Sequence, residues 1–150
     1  MKDGFTLIEL IIVIVLIGIL SIFIGPKIFT TGYKNKADVV KFITVVRYAQ
    51  HESMIRGGGY YIGFNPNSYY VDNGTSKVVV PGEKSENIPV AKSISARYRN
   101  RAIDKVYFDY LGEPCKIWRG KLRPLTDFVY VDIDGQTVVI SPYAGGVYSE

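Results

Sequence analysis

The sequence predicts an α+β domain, with one long N-terminal helix followed by a mostly antiparallel β-sheet. Three observations predict it. Residues 5–24 form a run of twenty residues in which Glu9 is the only ionisable side chain. Residues 28–56 then place apolar side chains on one helical face, and Gly57-Gly58-Gly59 ends the pattern. Beyond the glycines come short runs rich in tyrosine and valine, separated by Asn, Pro, Gly and Asp.

As a helix the apolar run reaches about 30 Å, the thickness of a bilayer's hydrocarbon core. A cleaved secretory signal fits it poorly, because residues 1–4 alone precede it and no small-residue cleavage site follows. A buried core helix is rarely apolar on every side for this length. A plain membrane anchor fits the length but gives no reason for Glu9, since a carboxylate in a span is costly. Snorkelling of Glu9 from a helix end is the bland account. Lys27, Lys34, Lys36 and Lys41 follow the run, and their count by itself favours the reverse orientation. Long domains translocate regardless of such charges, so the N-terminus is expected to start on the cytoplasmic side.

Pro26 removes a helical hydrogen bond and is expected to kink the helix, which continues beyond it. Ile28, Val39, Val40, Phe42, Ile43, Val46 and Ala49 fall on one half of the circumference, with Lys34, Asp38, Lys41, Glu52 and Arg56 opposite. Lys34 with Asp38, and Glu52 with Arg56, are spaced to pair. After the glycines, residues 60–64 and 69–71 read as a hairpin across Asn65-Pro66-Asn67-Ser68. Residues 77–80 and 106–110 read as strands, residues 81–93 as a loop, and residues 128–133 with 137–140 as a second hairpin across Asp134-Gly135-Gln136.

No catalytic arrangement is legible, and the chain is read as a non-enzyme without cofactor or metal. His51 is the single histidine and Cys115 the single cysteine, so neither a disulfide nor a cysteine-rich metal site can form within the chain. Asp132-Ile133-Asp134-Gly135 resembles the start of a calcium loop, but Gln136 and Tyr143 occupy later ligand places, so a hairpin turn is the reading. The net charge of +4 is unevenly spread. Arg97, Arg99 and Arg101 form one cluster, and Lys116, Arg119, Lys121 and Arg123 form another without an acid. Interleaved with Tyr98 and Trp118, they are candidate contacts to DNA or another anion; a solvated basic face is the alternative.

The string Gly4-Phe5-Thr6-Leu7-Ile8-Glu9, followed by the apolar run, resembles the type IV prepilin signature. The resemblance implies cleavage between Gly4 and Phe5 by a prepilin peptidase, and N-methylation of Phe5. It gives Glu9 a role: neutralising a neighbouring subunit's new amine, and so setting the stagger between subunits. Pro26 matches a proline that often ends the membrane stretch in that family. Three later strings resemble the H-type minor pseudopilins of type II secretion and the related FimT-type minor pilins. They are Val46-Arg47-Tyr48-Ala49-Gln50, Phe108-Asp109-Tyr110-Leu111-Gly112-Glu113-Pro114, and Val139-Ile140-Ser141-Pro142-Tyr143-Ala144-Gly145-Gly146-Val147.

The organisation implied is a leader over residues 1–4, a membrane and assembly helix over 5–25, an amphipathic half over 26–56, and a β-rich pilin domain over 57–150. The expected location is the bacterial inner membrane with a single span, the C-terminal domain lying in the periplasm or outside. Expected partners are other pilin-like subunits, the peptidase, an inner-membrane assembly platform and secreted cargo. The alternative is a FimT-like minor pilin whose basic surface binds DNA, though the chain lacks the C-terminal glycine–arginine motif of those proteins. Type II secretion, type IV pilus and competence machines all remain open.

Overall fold

A computed structural model of the chain describes residues 6–143 and 145–150, with the side chains of residues 20–35 excepted. The chain divides into two compact units, Met1–Lys34 and Asn35–Glu150. Helix α1 runs Leu7–Arg56, fifty residues. Pro26 lies within it, and the expected kink falls among residues outside the described side chains, as does Lys34. Among the described residues no helix is long and apolar enough to cross a membrane. The described side chains of the apolar run end at Ile19, so much of the expected span over residues 5–25 lies outside them.

From Lys36 onward α1 is amphipathic. Val39, Phe42, Val45, Val46, Ala49 and Ser53 are buried, a three-and-four spacing that keeps one face inward. The stripe is rotated from the sequence expectation: Val40 is 63% exposed while Val45 is buried. Val40 stands at the margin of the expected face, and packing centres the buried stripe on Phe42 and Ala49. Asp38 accepts the Ala91 amide at 3.1 Å, which ties the helix to the chain before the second sheet. Glu52 and Arg56 pair at 2.7 Å, as their spacing predicts.

Twelve strands follow among the described residues. The first sheet holds β1 (Tyr61–Asn65), β2 (Ser68–Asp72), β3 (Lys77–Val78), β7 (Lys105–Phe108), β8 (Pro114–Trp118) and β9 (Lys121–Pro124), in the order β3-β2-β1-β7-β8-β9. A short strand β4 (Asn87–Pro89) also pairs with β2. The second sheet is β5 (Ile94–Tyr98), β6 (Arg101–Ile103), β10 (Val129–Ile133), β11 (Gln136–Ile140) and β12 (Val147–Ser149), ordered β12-β11-β10-β5-β6. Every neighbouring pair is antiparallel. The α+β architecture, one helix then antiparallel sheets, is the one expected and is consistent with a pilin fold.

Two hairpins stand where the sequence places them, β1–β2 and β10–β11. The stretch 81–93, expected to be loop throughout, contributes β4, because Ile88 is fully buried and opposes Tyr69. Strands β5 and β6 carry no strand signal in the sequence beyond their charge pattern, yet β5 alternates inward Ile94, Ala96 and Tyr98 with outward Ser95 and Arg97. Gly63 in β1 faces Tyr70 of β2, whose ring lies over the space a Cβ would fill. Between the helix and the strands, Phe42 meets the Tyr69 ring edge-on at 5.1 Å and lies with Ile62, Val71, Phe108 and Val131 in one core.

Candidate functional site

At the N-terminus, Thr6 and Glu9 close a capping box. The Thr6 amide and hydroxyl donate to Glu9 Oε2 at 3.3 and 3.2 Å, and the Glu9 amide reaches Thr6 Oγ1 at 3.4 Å. The Glu9 and Leu10 amides also donate to the Thr6 carbonyl, at 3.1 and 3.3 Å. A first-turn carboxylate is favoured by the helix dipole as well. The pattern Thr-x-x-Glu before an apolar run is a capping signal legible in the sequence, alongside the role that the family resemblance implies for Glu9. Gly4 and Phe5, the expected cleavage and methylation positions, lie outside the described residues.

The other end of α1 gathers the three later strings into one junction. Gly57 is left-handed (φ 84°), and the Gly58 amide returns to the Ser53 carbonyl at 2.7 Å, a Schellman stop. Ser53, fully buried, donates its hydroxyl to the Phe108 carbonyl at 2.8 Å and receives the Tyr60 amide at 3.3 Å. One turn earlier, Gln50 Nε2 donates to the carbonyls of Gly112, at 3.1 Å, and Gly145, at 2.7 Å. Asp109 shapes the intervening turn, its Oδ1 accepting the amides of Leu111 and Glu113 at 2.9 Å each. Gly112 (φ 76°) and Gly145 (φ 61°) are both left-handed, and a Cβ on Gly145 would collide with the Gln50 amide. The sequence presents each string separately; that Gln50 joins all three is visible only in the fold.

The basic residues divide into paired and unpaired. Arg97 is held by Asp132 at 2.8 Å. Arg99 donates to Thr126 Oγ1 at 2.8 Å and lies 3.8 Å from Asp127. Arg101, Lys116, Arg119, Lys121 and Arg123 have no carboxylate partner among the described residues. Those five cations exceed the chain's net charge of +4, so the rest of the molecule is close to neutral.

Local backbone geometry places them. Arg99-Asn100 (φ 49° and 60°) and Arg119-Gly120 (φ 51° and 74°) are two-residue turns with both residues left-handed, the geometry of tight hairpins. The first turn joins β5 to β6 and the second joins β8 to β9, so each arginine cluster sits on a hairpin. In the β8–β9 register Lys116 faces Arg123 and Trp118 faces Lys121, and since alternate residues share a face, all four point one way. Ile117 and Leu122 form the opposite face.

The two hairpins meet at Tyr98. The Lys116 ammonium lies 5.5 Å from the Tyr98 ring and 5.8 Å from the Trp118 ring, and Arg99 lies 5.5 Å from Tyr98 on its own side. A cleft of about 510 Å³ there is lined by Tyr98, Arg99, Arg101 and Lys116, with Ala102 and Ile103. Burial pushes the Tyr98 phenol up, but the Thr126 hydrogen bonds and the Arg99 and Lys116 charges outweigh it, and the net shift is below the ordinary value. Of the predicted anion contacts, Arg101, Arg119, Lys121 and Arg123 are free to meet a ligand, and Arg97 is neutralised. Lys116, a member of the second cluster by sequence, bridges the two in the fold.

Asp132 and Asp134, the apparent half of a calcium loop, have structural partners. Asp132 holds Arg97 and the Thr137 hydroxyl, and Asp134 Oδ1 receives the amides of Lys92 and Ser93 at 2.7 and 2.9 Å. Asp134-Gly135 (φ 51° and 84°) makes the tight turn between β10 and β11.

Residues 1–25 match a protein family described as the prokaryotic N-terminal methylation motif. No curated protein and no solved structure matches the chain. Over residues 1–25 the chain thus carries a segment similar to the methylation motif of type IV pilin-like precursors, the kind of segment that marks a membrane-anchored precursor for prepilin-peptidase processing and pilin assembly.

Proposed function

We propose that the protein is an H-type minor pseudopilin of a type II secretion system, cut between Gly4 and Phe5, methylated on Phe5 and assembled helix to helix into a short periplasmic filament. The mechanism is assembly rather than catalysis. Glu9 acts as the register group: a cationic amine drawn into a low-dielectric bundle needs a counter-ion, and a neighbour's Glu9 supplies it. The observation that carries the reading is the methylation motif on a chain of one long helix followed by antiparallel sheets. The convergence at Gln50 of the three strings that resemble H-type pseudopilins supports the finer assignment.

Mass spectrometry of the mature protein tests the processing step, with an N-methylated Phe5 terminus as the expected result; a terminus still carrying Met-Lys-Asp-Gly rules it out. Glu9→Ala is expected to leave cleavage and membrane insertion intact while stopping filament incorporation and secretion in a deletion background. Full complementation by Glu9→Ala would refute the register role.

A second reading, a FimT-like minor pilin that binds DNA, is favoured by one observation. Five cations without a carboxylate partner among the described residues gather on two adjoining hairpins beside an exposed tryptophan. Gel shifts of the full chain with duplex and single-stranded DNA at several salt concentrations test it, because phosphate contacts make affinity fall steeply with salt. Absence of salt-dependent binding to either form removes this reading and leaves the assembly reading standing.

A further inference from the structure

We infer that the Lys116–Trp118–Lys121–Arg123 face of the β8–β9 hairpin is a stacking platform for single-stranded nucleic acid. The inference rests on the second reading above and specifies its substrate. The hairpin carries four cations and no acid, so its field favours a polyanion over a patterned protein surface. Lys116 directly opposite Arg123 is an unfavourable like-charge pair in the free protein, and an anion laid across the rung removes that cost.

Charge by itself does not choose between duplex and single strand; Trp118 does. Its indole is 58% exposed and lies among the cations on the same face. A duplex keeps its base faces stacked and offers this surface phosphates only. An unpaired base offers a π-face that covers the indole while the flanking phosphates meet Lys116, Lys121 and Arg123. The cleft beside Tyr98, with Arg99 and Arg101, extends the cationic track onto the β5–β6 hairpin, so a strand crossing the platform continues onto a second set of cations.

Trp118 is the only tryptophan in the chain, so its fluorescence reports this face directly. The test uses the full chain in neutral phosphatidylcholine nanodiscs, titrated with a fifteen-nucleotide oligothymidine and, separately, with a duplex of equal length. The expected result is quenching of Trp118 by the oligothymidine. Its affinity should fall by about tenfold or more in Trp118→Ala, in line with the worth of one stacked base. Duplex affinity should change little in that variant. Lys116→Gln with Arg123→Gln should make the salt dependence shallower, by about 0.7 in slope for each phosphate that no longer meets a cation. Leu122→Ala, on the opposite face, should bind as the parent does, and circular dichroism checks that each variant folds.

Binding of oligothymidine without quenching, or with equal affinity in Trp118→Ala, overturns the platform. Salt-dependent binding of duplex alone overturns it too, while leaving the DNA reading intact. Absence of binding to either nucleic acid removes both.

Discussion

Replacing Gln50 with alanine cuts the one side chain that ties the helix to both distant carbonyls, Gly112 and Gly145. Each net hydrogen bond is worth about 1 kcal/mol, and stranding two partly buried carbonyls adds to the loss, so the substitution costs about 2–3 kcal/mol. Ala is a good helix former, so propensity offsets only a few tenths of that. For a unit of this size about 4 °C of melting temperature goes with each kcal/mol, and Gln50→Ala should melt about 10 °C below the parent by circular dichroism of the full chain in detergent. Gln50→Glu sharpens the test through its pH dependence. A carboxylate facing two carbonyls is favoured only when protonated, so its folded pKa is raised above the unfolded value near 4.3. The variant should recover part of the parent's stability below about pH 4, because a protonated carboxyl donates to one of the two carbonyls where the amide donates to both, and lose ground as pH rises through the folded pKa. A melting temperature within 2 °C or so of the parent for Gln50→Ala would refute the junction as an energetic feature.

Three further outcomes are expected. Gly63→Val should destabilise the domain by about 2 kcal/mol or more in urea unfolding, because the Tyr70 ring occupies the Cβ space and must swing out. Burial pushes the Cys115 thiol up to about 12, so its reaction with a thiol reagent at pH 8 should be slow in the native protein and fast in urea; its linked stability holds below the unfolded value near 8.5 and falls as pH rises toward 12. Thr6→Val should lower the helicity of a detergent-bound peptide of residues 5–30, a loss worth about 1 kcal/mol, with an unchanged spectrum counting against the capping box.

The parts of the fold legible in the sequence are those whose signals are local. Period and glycine stop place the C-terminal end of α1 at Arg56 to within a residue or two, because the Schellman turn needs left-handed residues that glycine supplies cheaply. The Asp134-Gly135 turn announces β10–β11 for the same reason. The β5–β6 hairpin is hidden because its turn is Arg99-Asn100, where a bulky arginine adopts the left-handed conformation that hairpin signals reserve for Gly, Asn and Asp. At Arg119-Gly120 a turn signal is present but is masked by the surrounding charge. Strand β4 is three residues long and exists through the burial of Ile88 against Tyr69, residues 19 positions apart that no local window contains. The basic site is half legible for a related reason. Sequence shows two clusters, while only register and the Tyr98 contact show that Lys116 joins them and that Asp132 takes Arg97 out.

Glu9 carries two demands on one carboxylate. In the single chain its Oε2 caps the helix through Thr6, which is worth about 1 kcal/mol. In the proposed filament it meets a neighbour's amine, and two unit charges 4 Å apart attract by about 4 kcal/mol at an effective dielectric of 20. The pair therefore outweighs the cap, and the geometry does not force a choice, since the box occupies Oε2 and a carboxylate accepts at both oxygens. The cap then orients the group before a partner arrives and keeps it from turning back toward its own helix axis. Thr6 and Glu9 should accordingly separate in assembly. Thr6→Val leaves the charge and slows incorporation, whereas Glu9→Gln keeps a hydrogen-bonding oxygen for the box but loses the ion pair and stops incorporation. Incorporation of Glu9→Gln as good as or better than that of Thr6→Val would mean that helix capping, and not charge, is what assembly requires of this residue.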